Sequence, residues 1–202
     1  MILKKKKMIE RYQKVNKEEY IQQGDIFLAD LKYEIKSEDG FSKINNNLWI
    51  VTSNSCDIKQ NKLKYISISP IVPLYFVTES VAQDKKKKGL KNNDIKDDIK
   101  KLIGNLIKYN NKKFFYLPKN KSFYLEQESV VMLEIILTFR IDEVENIIKE
   151  KRLCSLSSPD RENLGWAIGN LYNRVAVEDY HKDHHENLFN EIKNRLDAFL
   201  PN

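Results

Sequence analysis

Cysteine occurs only twice in this chain of 202 residues, histidine three times and glycine six times. Two cysteines, Cys56 and Cys154, can close at most one disulfide, and both are expected to be free thiols. Among so few glycines there is no P-loop, no Gly-x-Gly-x-x-Gly fingerprint and no Gly-x-Ser-x-Gly elbow. The commonest phosphate-cradling and hydrolase readings therefore fall away. No apolar run approaches the length of about 18 residues that a bilayer-spanning helix needs. The opening MILKKKKMIERYQ also has no apolar stretch of signal-peptide length. These absences predict a cytoplasmic protein with no membrane partner and no cofactor.

What is present is lysine, asparagine and β-forming apolar residues. The formal charge is +6, with 41% apolar and 32% charged residues, an ordinary balance that does not by itself require a nucleic-acid partner. The positive charge is bunched, at Lys4 to Lys7 and at Lys85 to Lys88 with Lys91. Such runs are either solvated segments or point charges for phosphates.

The pattern along the chain predicts an α+β protein. KEEYIQQGD (17–25) reads as a short helical turn closed by Gly24, and GDIFLADLKYEI then alternates, with Phe27, Ala29, Leu31 and Tyr33 on one strand face. Residues 36–47 read as a polar loop turning at Asp39-Gly40. Further strands are expected at Leu48–Thr52, at Lys64–Ile71 with Pro70 and Pro73 marking its end, at 114–118, and over the long run Ser129–Phe139. Three strands joined by polar connections suggest a small antiparallel barrel. Ile95, Ile99, Leu102, Ile103 and Leu106 recur at helical spacing, so 80–112 reads as a helical insertion in the β region, with the lysine-rich 83–94 interrupting the pattern.

From about 141 the chain reads as helical. Ser158 as cap, Pro159 at the first helical position and Asp160 at the positive helix end mark one start. Leu164, Ile168, Leu171 and Val175 line one face of that helix, and Gly165 and Gly169 make a small-residue stripe. A last helix over about 183–199 is expected to bury Leu188, Phe189, Ile192, Leu196 and Phe199. The expected division is a barrel domain over 1–140 and a helical extension over 141–202.

Three clusters are candidates for chemistry. Cys56 and Asp57 lie in SNSCD, where a strand ends; a nucleophilic cysteine needs a histidine, a cation or a helix N-terminus to lower its pKa. The histidines lie far away in sequence, so a buried structural thiol, with Ser55 and Asp57 satisfying the turn, is the expectation. DYHKDHHE (179–186) places His181 and His185 four apart, with His184 between them and Asp179, Asp183 and Glu186 as oxygen donors. The zincin order is absent, and a solvated helix start is the simpler reading. Phosphates, if bound, would meet Lys43, Lys85, Lys86, Lys87, Lys88, Lys91, Arg161 and Arg174, with Trp49 or Tyr65 as base-stacking rings. For Trp49 the competing reading is core packing, and for the two arginines it is pairing with acids.

QGDIFLADL, then LWIVTSNSCDI and YISISPIVPL, resemble the opening of MazF/PemK-type proteins over about residues 22–74. The resemblance implies an SH3-like barrel. That family's ribonucleases use an arginine before the second strand and a hydroxyl after Pro-Ile; here those stretches read Asn45-Asn46-Asn47 and Pro70-Ile71-Val72, with Lys43 nearby. Ser-Cys-Asp, YLP, ESVVMLEIILTF and LSSPDRENLGWAIGNLYNRVAV also resemble a poorly characterised bacterial family with an early Cys-Asp and a later Ser-Pro-x-Arg helix. Three readings follow in order. The first is a non-catalytic binding module with protein or nucleic-acid partners in a bacterial defence or toxin–antitoxin setting. The second is a ribonuclease-type toxin with an altered site, and the third a metal-dependent enzyme using the C-terminal histidines.

Overall fold

The computed structural model describes residues 10–37, 40–60 and 62–172, with side chains described except at 32–46 and 172. It is a mixed α+β structure built on one antiparallel sheet of eight strands. The strands are β1 (Tyr12–Gln13), β2 (Asp25–Ser37), β3 (Gly40–Val51), β4 (Tyr65–Pro73), β5 (Phe114–Leu117), β6 (Ser129–Met132), β7 (Leu137–Arg140) and β8 (Arg152–Leu156). The helices are α1 (Ser55–Lys59), α2 (Leu74–Lys87), α3 (Asn92–Ile107), α4 (Ile141–Lys151) and α5 (Asp160–Tyr172). The strand path runs β1-β8-β2-β3-β4-β6-β5, with β7 also paired to β4. The path ends at β1 and β5 without joining them, so the sheet is open among the described residues rather than a closed small barrel.

Helices cover both faces, which explains the consecutive buried residues of the central strands. Ile26, Ile50, Cys154 and Leu156 point to one core, which α5 closes with Leu164 and Ala167. Phe27, Trp49, Val51, Ile66 and Ile68 point to the other, closed by Ile148 of α4 and Ile58 of α1. Val72, Val130, Val77 and Leu106 form a third, smaller core beneath α2 and α3. β4 forks: residues 65–68 pair with β7 and 71–73 with β6. Pro70 falls in the gap between them, where a missing N–H removes no ladder bond on that edge. It sits inside the strand, not at its end.

Several expectations are corrected here. The polar stretch 36–47 is β-ladder: Gly40 pairs with Ser37 and Asn46 with Leu31 in the long β2–β3 hairpin. The run Ser129–Phe139 is two strands, because a turn at 133–134 breaks it. The insertion begins at Leu74 and is two helices, with Lys85–Lys87 forming the last turn of α2. Residues 17–24 form turns without a helix. The chain beyond 141 also returns to the sheet: β8 lies between β1 and β2. Five residues between two helices are too few to show a period. Gly24 stands at φ +86, and a Cβ there would come within 3.0 Å of the Leu156 Cβ, so this turn needs glycine. Val175 and the helix expected over 183–199 lie outside the described residues.

Candidate functional site

The polar run after β3 builds a local platform. Asn54 caps α1, its Oδ1 accepting from the Cys56 amide at 2.9 Å. The Ser53 hydroxyl accepts from Ser67 N at 2.7 Å, and the Ser55 hydroxyl from Gln23 N at 2.9 Å. Cys56 is therefore an exposed residue in a short capped helix, not a buried thiol at a strand end. Asp57 occupies the first turn of α1, where an acid is favourable. The buried thiol is Cys154, which burial pushes up to about 12.

Beside this platform, α1, the start of β4 and the start of α4 enclose a groove of about 820 Å³. Ile21, Ile58, Leu63 and Ile141 give it an apolar lining, and Lys64, Arg140, Asp142 and Glu145 give it charge. Two of its tyrosines face solvent, Tyr20 at 65% and Tyr65 at 56% exposure. Arg140 is occupied: its Nε donates to Asp142 Oδ1 at 3.2 Å and its Nη2 to Oδ2 at 2.6 Å. Those bonds hold the Asp142 carboxyl below its usual range. Lys64 carries no ion pair among the described residues, and Lys59 and Lys62 are exposed close to it in sequence.

The wall that carries Tyr20 is fastened by one guanidinium. Arg152 Nη1 donates to Tyr20 O at 3.1 Å and to Asp25 Oδ2 at 2.8 Å; its Nη2 donates to Glu19 O at 2.9 Å and to Asn16 O. Both ionised side chains are buried, Arg152 at 1% and Asp25 at 0% exposure. Among the described residues, Asp25 Oδ1 and Arg152 Nε have no hydrogen-bond partner. Burial raises the Asp25 carboxyl above its usual range, against the lowering effect of the bond from Arg152.

Of the residues singled out in the sequence, the structure brings few together. Trp49 is fully buried and its Nε1 donates to Ala29 O at 3.0 Å, so it is core and offers no stacking face. Tyr65 is exposed and lies in the groove. Lys86, Lys87, Lys88 and Lys91 are exposed at the α2–α3 turn, while Lys85 pairs with Asp98 and ties the two helices. The groove opens at Tyr65 and α2 leaves the sheet after Pro73, so eight residue steps of about 3.3 Å, roughly 26 Å, separate the two along β4. Arg161 is half-buried, its Nη2 donating to Leu156 O at 2.7 Å. Lys43 stands opposite Glu34 in the β2–β3 ladder. Its side chain, Arg174, His181, His184 and His185 lie outside the described residues.

The Gly165/Gly169 stripe is also uneven. A Cβ at Gly165 would meet Gln23 Oε1 at 2.9 Å, whereas Gly169 faces open space. Sequence reasoning missed Tyr20, Lys64 and Arg140, since nothing in the pattern separates an exposed tyrosine in a turn from a buried one. Among the described residues no three His, Cys, Asp or Glu side chains gather as a metal site, and no helix is long and apolar enough to cross a membrane. No protein-family model matches the chain, and no curated protein matches it.

Proposed function

We propose that the chain is a non-catalytic binding module that takes single-stranded nucleic acid in the groove between Tyr20 and Tyr65. The observation that carries this is the exposure of both rings beside the unpaired Lys64. An exposed ring offers a face to any base, and a neighbouring cation attracts the phosphate chain. The apolar lining from Ile21, Ile58 and Leu63 suits the desolvated underside of a stacked base. A bacterial toxin–antitoxin or defence setting, and an SH3-like ancestry for the sheet, rest on the MazF/PemK resemblance alone.

The test is fluorescence anisotropy with a 12-nucleotide RNA and its DNA counterpart at about 50 and about 200 mM salt, with cleavage followed in the same samples. Binding that weakens as salt rises, and that falls about 5- to 150-fold on Tyr65→Ala or Tyr20→Ala, is the expected result, since each base–ring stack is worth about 1–3 kcal/mol. Absence of binding at low salt would sink the reading. Cleavage lost in Asp57→Asn would replace it with the nuclease.

A further inference from the structure

A second groove, of about 780 Å³, follows the seam where the open sheet fails to close. One wall is the continuous segment Glu10–Lys14, which contains the edge strand β1; the other runs from Pro118 to Phe123, directly after the opposite edge strand β5. β1 pairs with β8 on one side only, and no ladder joins β1 to β5 among the described residues. The Tyr12 hydroxyl crosses the floor to donate to Pro118 O at 2.7 Å.

The chemistry of this seam is distinct from that of the tyrosine groove. Its aromatic residues are used up as floor: Tyr12 is 3% exposed and its ring centroid lies 6.0 Å from that of the half-buried Phe123. No ring there is free to stack a base. Its cations are at the rim: Arg11, Lys14 and Lys119, against one acid, Glu10. Lys14 and Lys119 are exposed and carry no ion pair among the described residues. Arg11 is already committed on the inner side: its Nη1 donates to the Tyr109 hydroxyl at 2.8 Å, which itself donates to Asp160 Oδ1 at 2.7 Å, and its Nε pairs with Asp160 Oδ2 at 3.8 Å.

We infer that the seam is an acceptor for an extended acidic polypeptide segment of a partner protein, which adds as a strand along β1 and sets its carboxylates against Lys14 and Lys119. Main-chain pairing along an exposed edge supplies affinity in such additions, and alternate side chains supply selectivity. A two-residue edge strand followed at once by lysine also resists pairing with arbitrary strands. The excess of cations then makes the edge selective for acidic ones. This does not depend on what occupies the tyrosine groove.

The experiment uses the full chain and a labelled eight-residue peptide of alternating valine and glutamate, followed by anisotropy. Three probes accompany it: the valine–lysine counterpart, the valine–glutamate peptide N-methylated on alternate residues, and a 12-nucleotide RNA as competitor. Binding of the acidic peptide alone, reduced at least tenfold in the Lys14→Glu/Lys119→Glu double variant and by N-methylation, is expected. Tyr65→Ala should leave it unchanged, and the RNA should not displace it. No binding of the acidic peptide, binding indifferent to N-methylation, or displacement by the RNA in proportion to charge would each overturn the inference. The two substituted lysines are exposed surface residues, so circular dichroism of the double variant should match the parent.

Discussion

The two grooves contain similar ingredients and expose opposite ones. In the groove at the start of β4 the rings of Tyr20 and Tyr65 face water, while the guanidinium of Arg140 is held by Asp142. In the seam beside β1 the ring of Tyr12 is buried, while Lys14 and Lys119 are exposed and carry no ion pair among the described residues. Composition alone would call both aromatic and basic. What separates them is which group each local backbone has already committed to the core. A lining of residue types is thus a poor guide to a ligand until the hydrogen bonds and burial of each member are counted.

The severest way to break that comparison is to release the wall of one groove and leave the other intact. Arg152→Met removes the bonds to Asn16 O, Glu19 O and Tyr20 O and leaves Asp25 unpaired in the interior. A loss of about 3–5 kcal/mol is expected, read as a lower denaturation midpoint, since breaking one partner of a buried ion pair strands the other. RNA binding should weaken along with it, because Tyr20 loses its anchor, whereas the acidic peptide should still bind the folded fraction. Asp25 adds a pH signature. Its carboxyl, titrated by NMR, should show a midpoint above 3.8 in the parent and a higher one in Arg152→Met. Because the unfolded chain gives up this proton first, the group's contribution to stability declines as pH rises from the ordinary carboxyl value to the raised one.

Tyr65→Ala comes next, with the loss of about 1–3 kcal/mol in RNA affinity expected of one stacked base and no change in peptide affinity. Asn54→Ala removes the cap of α1 and should lower stability by about 1 kcal/mol, without moving either affinity more than a few-fold. The smallest effect is expected at the lysine hairpin. Charge reversal at Lys86, Lys87 and Lys88 should alter the salt dependence of RNA binding less than Lys64→Ala does, since Lys64 lines the groove and these lysines, at the end of α2, do not. A larger effect there than at Lys64 would move the nucleic-acid site to the hairpin.

Legibility in the sequence tracked how much local pattern each element carries. α3 was readable because Ile95, Ile99, Leu102, Ile103 and Leu106 recur at helical spacing over about three turns. β4 and β5 were readable from dense β-forming runs. β8 was not: RLCSL mixes an arginine and a serine with three apolar side chains, and it becomes a strand through pairing with β1 and β2, about 140 and 130 residues earlier. The hairpin through INNN failed for the converse reason, since asparagine disfavours strands and only the register with β2 overrides it. At the site, Tyr65 was legible and Tyr20 was not. The lysines of the hairpin were conspicuous in sequence, yet they stand at the end of α2 and do not line the groove that holds the exposed rings.

The fastening of Tyr20 also sets a schedule. Arg152 reaches back 127 to 136 residues to hold Asp25, Tyr20, Glu19 and Asn16. During synthesis the first of these residues emerge long before their anchor exists, and contacts of such sequence separation close late. The tyrosine wall is therefore assembled after most of the chain has been made, and a nascent chain shorter than 152 residues carries the ingredients of the groove without its shape.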